Sequence, residues 1–135
     1  MAKTIAGHLD IRLLKNEEDW LAFQDLRLAA LQEHPEAFGF SYEEESIMSA
    51  ESFKEGYKKC DIFGAFIEHD LVGCAGFFVQ SPIKMRHRGV LFSMYVAPTH
   101  RNKGIANLLV KTVIDHAKNV FFNCMQPSLQ VINRF

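Results

Sequence analysis

Met94-Tyr-Val-Ala-Pro-Thr-His-Arg-Asn-Lys-Gly-Ile-Ala106 constrains this chain more than any other segment. An apolar, β-branched and aromatic stretch from Gly89 to Val96 runs into it and reads as a strand. Beyond it, Ile105, Leu108, Leu109, Thr112, Val113 and Ala117 recur at the spacing of one helix face. A strand that enters a helix through a loop holding Arg101, Lys103 and Gly104 has the outline of a phosphate cradle. First-turn N–H groups point outward, the helix dipole adds positive charge, and Gly104 allows close approach of the backbone. The same residues also admit a plainer reading, a strand-to-helix turn in which Gly104 only fits a tight bend.

Charge is distributed in a way that suits the first reading. The net charge is only −1, which gives no reason to expect nucleic acid as a partner. Yet Glu17 to Glu51 carries ten acidic residues, whereas Lys84 to Lys118 carries seven Lys or Arg and the single acid Asp115. The basic stretch is centred on the loop, where Arg101 and Lys103 are candidates for phosphate contact. With 135 residues, 48% of them hydrophobic, the chain is expected to form one domain over 1–135 with an adequate core. Cys60, Cys74 and Cys124 show no paired spacing, so neither a metal site nor a disulfide framework is expected. No apolar run reaches the ~18 residues of a membrane helix, and the start lacks a hydrophobic signal core. A cytoplasmic protein without a membrane partner is the expectation.

The elements alternate along the chain. Leu9 to Leu14 reads as a strand of period two. Asn16 is a suitable N-cap, with Glu17, Glu18 and Asp19 in the first turn of a helix carrying Trp20, Phe23, Leu26, Arg27, Ala30 and Leu31. Pro35 stops that helix. A loop or broken helix follows from Glu36 to Ser49, then a helix from Ser49 to Lys59. Ile62 to Glu68 and Leu71 to Val79 form a hairpin about His69-Asp70. The predicted order is β-α-α-β-β-β-α-(β), an α/β (α+β) domain with a mixed, mostly antiparallel sheet flanked by helices.

The segment Arg101-Asn102-Lys103-Gly104-Ile105-Ala106 resembles the acetyl-CoA-binding motif of the GNAT N-acetyltransferases, which reads Arg/Gln-x-x-Gly-x-Gly/Ala. The element order extends this resemblance over most of the chain. Leu26-Arg27 to Leu31, His34 to Gly39 and Ser41 to Glu45 are similar to one bacterial subgroup of that family. The resemblance implies acyl transfer from acetyl-CoA to an amine of a small molecule or protein, with acetyl-CoA as cosubstrate and no metal. It implies that Met94, Tyr95 and Val96 line the pantetheine arm and that residues 101–106 hold the pyrophosphate. It also makes the segment between the first two helices part of the acceptor wall. Phe38, Phe40 and Tyr42, interleaved with Glu43, Glu44 and Glu45, would line a pocket there whose acids attract a cationic amine. The residue pattern equally fits a buried aromatic anchor beside a solvated acidic helix start.

The chain departs from the family pattern in two respects. The strand before the loop lacks the glutamate that often serves as general base, which leaves His87 as the nearest group of suitable pKa. The family's general-acid tyrosine has no counterpart, because no tyrosine follows Tyr95. Only one further strand, at Ser128 to Phe135, is expected after the motif helix, so the family's C-terminal layer is expected to be missing. A homodimer through residues of about 121–135 would cover the open sheet edge. Two functional classes follow: an N-acetyltransferase, or a CoA-binding or interaction module that has lost turnover. A nucleotide-binding protein is a weaker third, since no Walker or dinucleotide glycine pattern is present.

Overall fold

The computed structural model describes residues 8–34, 42–80, 88–120 and 128–131. Helix α1 spans Glu17–Glu33 and begins as its sequence predicts: Asn16 is extended and its side-chain oxygen accepts the Asp19 N–H at 2.9 Å. Phe23, Leu26, Arg27, Ala30 and Leu31 make its buried face. Asp19 is buried as well, and Arg12 meets it at 2.7 Å with its guanidinium 4.0 Å from the centre of the Phe66 ring. Helix α2 is the single short piece Tyr42–Ser46, within the segment expected to be broken.

Helix α3 spans Ala50–Glu55 and is capped by Ser49, whose hydroxyl accepts the Ser52 N–H at 3.1 Å. It ends before the expected Lys59. From Gly56 onward the chain tightens into turns, with Tyr57 N–H bonded to Lys54 O and Lys58 N–H to Glu55 O.

Five strands form one sheet in the order β1 (Leu9–Leu13), β2 (Asp61–Ile67), β3 (Asp70–Gln80), β4 (Arg88–Val96) and β5 (Ser128–Val131). The first four pair antiparallel and β5 runs parallel to β4. Helix α4, Ile105–Val120, follows β4. The mixed, mostly antiparallel sheet is the one the sequence predicts, and the element order differs only by the short α2 inserted between the two expected helices. The hairpin turn is shifted by one residue, to Glu68-His69. Both have positive φ, 49° and 78°, the backbone of a two-residue turn whose twist matches the strands. Pairing of Ile67 with Asp70 closes it there.

Helices cover both faces. Against one, Phe23, Leu26 and Ala30 of α1 and Phe53 of α3 pack on Ile62, Cys74 and Tyr95. Against the other, Ile105, Leu109, Val113 and Ala117 of α4 pack on Phe63, Phe77, Leu91 and Val96. Each large side chain buried this way contributes roughly 1.5–3 kcal/mol. That second core fixes the start of α4 through Ile105, which is 1% exposed.

One irregularity decides how β4 presents itself. Gly76 pairs with Phe92, yet Cys74 pairs with Tyr95, so Ser93 and Met94 together face the single residue Ala75. This is a β-bulge, and Ser93 has φ 54°. The extra residue resets the alternation of the strand. Phe92 joins the α1 side, Ser93 meets Arg27 on that same side, and Met94 and Val96 join the α4 side. Gly76 makes room for it: a Cβ there would lie 2.6 Å from the Phe92 ring.

Candidate functional site

The end of β4 and the start of α4 form one continuous surface. Ala97 N–H bonds Val72 O at 2.8 Å, and Pro98–His100 makes a single 3-10 turn. Asn102 and Gly104 are both left-handed, at φ 64° and 82°. The first bond of α4 joins Leu108 N–H to Gly104 O at 3.1 Å. The N–H groups of Ile105, Ala106 and Asn107 therefore precede the helical ladder, as the first groups of any helix do. A Cβ built on Gly104 would meet nothing within 4 Å, so the space before these groups is open. Asn102 and Lys103 are exposed and Ala106 is half-buried. Ile105 is buried in the core, so only its backbone faces the loop.

Arg101 takes a different position from the one its sequence suggests. Its Nε donates to Val96 O at 2.8 Å, and its two terminal nitrogens donate to the Glu33 carboxylate at 2.9 Å each. The guanidinium also lies 5.3 Å from the centre of the Tyr95 ring, and the Tyr95 hydroxyl donates to Glu33. The Arg101 side chain is thus a brace between α1 and the loop, which leaves the first-turn N–H groups and Lys103 as the candidates for phosphate contact. Those Arg101 and Tyr95 hydrogen bonds hold the Glu33 carboxyl down at about 2, while burial and Glu33 push the Tyr95 phenol up to about 12.

An acid-dependence follows from the Glu33 shift. The folded pKa lies below the ordinary 4.5, so ionised Glu33 favours the folded state above that pH. This contribution is lost as pH falls from 4.5 towards about 2. The melting-temperature gap between the wild type and Glu33→Gln is expected to narrow across this window and to be constant from pH 5 to 7. A gap that stays constant below pH 4.5 would show that Glu33 titrates normally.

Behind the bulge lies a second polar group that the sequence did not reveal. Arg27 Nε and Nη2 donate to the two oxygens of Glu45 at 3.2 Å each, and Arg27 Nη1 donates to Ser93 Oγ at 3.2 Å. Arg27, Glu45 and Ser93 are all buried. The Cys74 thiol donates to Ser93 O at 3.3 Å. Burial pushes that thiol up to about 12, against the Arg27 charge and the Tyr95 N–H, so it is a protonated donor at neutral pH. Glu45 is the last residue of the acidic run read as an attraction for a cationic amine. Buried and paired, it cannot play that part, whereas Glu43 and Glu44 are exposed and Tyr42 is half-buried. Phe38 and His87 lie outside the described residues.

Among the described residues, the second edge of β4 is paired only as far as Leu91. Strand β5 pairs only with Arg88 to Leu91, so among the described residues no strand pairs with Phe92 to Val96 on that side. That open edge leads directly to Gly104 and the first turn of α4. Among the described residues no helix is long and apolar enough to cross a membrane.

The sequence model of the acetyltransferase (GNAT) family matches residues 18–133. The chain belongs to that family. Solved structures share its fold. The ribosomal-protein-alanine N-acetyltransferase of Brucella melitensis has a TM-score of 0.67 at 22% identity, over 93% of this chain and 80% of that one. The aminoglycoside N-acetyltransferase AAC(6')-Iy in complex with CoA has a TM-score of 0.66 at 18% identity, over 97% and 80%. A predicted acetyltransferase of Clostridium acetobutylicum with acetyl-CoA has a TM-score of 0.65 at 17% identity, over 90% and 80%. No curated protein matches significantly.

Proposed function

We propose that this chain transfers the acetyl group of acetyl-CoA to an amine of a small molecule or protein. The observation that carries this reading is the open half of β4 running straight into the open Gly104 loop. A strand edge suits an amide-bearing pantetheine arm, and a helix start suits a pyrophosphate. Acetyl-CoA supplies a thioester acyl group, which a neutral amine attacks directly: the C–N bond forms, the C–S bond breaks, the CoA thiolate leaves, and the proton lost by the nitrogen balances its charge.

Each role falls to a residue of this chain. The N–H groups of Ile105 and Ala106, with Gly104 giving access and Lys103 adding charge, bind the pyrophosphate. The main chain of Met94, Tyr95 and Val96 pairs with the pantetheine arm. The Met94 N–H, which lies at the bulge, donates to the thioester oxygen as negative charge develops there. A fixed donor at such a position lowers the barrier by roughly 3–4 kcal/mol. Glu43 and Glu44 draw in a cationic amine, Tyr42 and Phe38 are the candidate aromatic lining, and His87 is the candidate base. Two of the neighbours act, by name, on a protein alanine and on aminoglycosides, which supports an amine acceptor without choosing its size.

Calorimetry with CoA, run beside a thiol-release assay with acetyl-CoA and a panel of amines, tests the reading. Binding with turnover supports it. Binding without turnover selects a CoA-binding module, and no binding refutes both. For the acceptor side, changing Glu43 and Glu44 together to Gln is expected to raise the acceptor KM several-fold and leave CoA affinity unchanged. Equal losses in both would assign the pair a structural role.

A further inference from the structure

The bulge in β4 carries a non-glycine residue at φ 54°, a conformation that costs free energy and persists only where its surroundings enforce it. Three side chains from distant parts of the chain do so. Arg27 reaches Ser93 Oγ from α1, Glu45 of α2 holds Arg27 at its Nε and Nη2, and Cys74 of β3 donates to Ser93 O. The two grips differ in what they fix. The Arg27 bond fixes the Ser93 side chain, and the Cys74 bond fixes the direction of the Ser93 carbonyl. No described peptide bond is cis. In a trans peptide the N–H points opposite to the carbonyl. A Ser93 carbonyl held towards Cys74 therefore turns the Met94 N–H away from β3, to the edge where β5 leaves β4 open.

We propose that Cys74 and Arg27 are positioning residues that aim the Met94 N–H at the acyl carbonyl by gripping the Ser93–Met94 peptide of the bulge. This rests on the acyl-donor reading given above. Neither residue touches the reacting atoms. The thiol acts as a hydrogen-bond donor to the backbone rather than as a nucleophile, and it is 2% exposed. The Glu45–Arg27 pair also ties the acceptor-side helix α2 to the catalytic strand, so both substrates are referred to one peptide unit.

Removing Arg27 leaves Glu45 buried and threatens folding, so the test uses the other grip and the bulge itself. Acetyl-CoA labelled with 13C at the acyl carbonyl is bound to wild type, Cys74→Ala, Cys74→Ser and Ser93→Gly, and its carbonyl stretch is read by infrared difference. Wild type is expected to lower the stretch relative to free acetyl-CoA. In Cys74→Ala and Ser93→Gly at least half of that lowering is expected to vanish, with affinity for acetyl-CoA within about threefold of wild type. Cys74→Ser keeps a donor and is expected to restore most of it. With an accepted amine, kcat should fall about tenfold or more in the first two variants at unchanged acceptor KM. A lowering that survives intact in both Cys74→Ala and Ser93→Gly overturns the proposal. A wild type that binds acetyl-CoA without any lowering removes the Met94 donor and the proposal with it. Failure to bind acetyl-CoA at all would instead sink the acyl-donor reading itself.

Discussion

Replacing Gly104 by Asp is expected to abolish CoA binding, a loss of at least 100-fold by calorimetry. Two costs combine at this position. Gly104 has φ 82°, where an L-residue is strained by roughly 1–3 kcal/mol, and its missing Cβ faces open space rather than protein. An aspartate therefore occupies the approach to the first-turn N–H groups and opposes the pyrophosphate with its own charge. Gly104→Ala separates the two, since it adds strain and a methyl group without charge, and should fall between wild type and Gly104→Asp. Lys103→Ala is expected to weaken binding modestly and flatten its salt dependence. Full affinity in Gly104→Asp would exclude this loop as the site.

The largest effect on stability is expected at Arg27. Changing it to Met keeps much of the apolar stem but leaves the Glu45 carboxylate buried without its bidentate partner. Breaking a buried ion pair from one side costs about 3–5 kcal/mol, a large share of the ~5–15 kcal/mol that holds a domain together. Denaturant unfolding should show a lower midpoint with little change in slope. Combining Arg27→Met with Glu45→Leu should recover most of the loss, because replacing both partners by apolar groups removes the orphaned charge. A double variant as unstable as the single one would mean that the bond from Arg27 to Ser93, rather than the pair with Glu45, carries the stability.

Much of this architecture is legible in the residues because it is governed locally. Asn16 and Ser49 cap helices in the way their side chains allow, the apolar residues of α4 fall on one face, and Gly104 stands where φ must be positive. The loop of the candidate site belongs to this class. The bulge does not. Phe92-Ser93-Met94 contains no Gly, Pro or Asn to announce it, and its contacts come from residues 66 and 19 positions away in sequence. Arg101 is misleading for the same reason: its motif position suggests an anion, and the Glu33 carboxylate that claims it lies 68 positions earlier. One signal was present. Arg27 interrupts the apolar face made by Phe23, Leu26, Ala30 and Leu31, and a charge on such a face requires a buried partner. The acidic run of α2 could have been searched for it.

Helix α1 touches the two halves of the site at two points, Arg27 at the bulge and Glu33 at the loop. They stand six positions apart, a rise of about 9 Å along a rigid rod. The helix is thereby a gauge block: it sets the distance between the bulge peptide proposed to face the acyl group and the loop proposed to hold the far end of the same ligand. A gauge of this kind tolerates a change of material but not of length. Side chains between Leu28 and Gln32 can vary wherever packing allows. One inserted residue would turn Glu33 by about 100° and detach one end of the gauge from its mark.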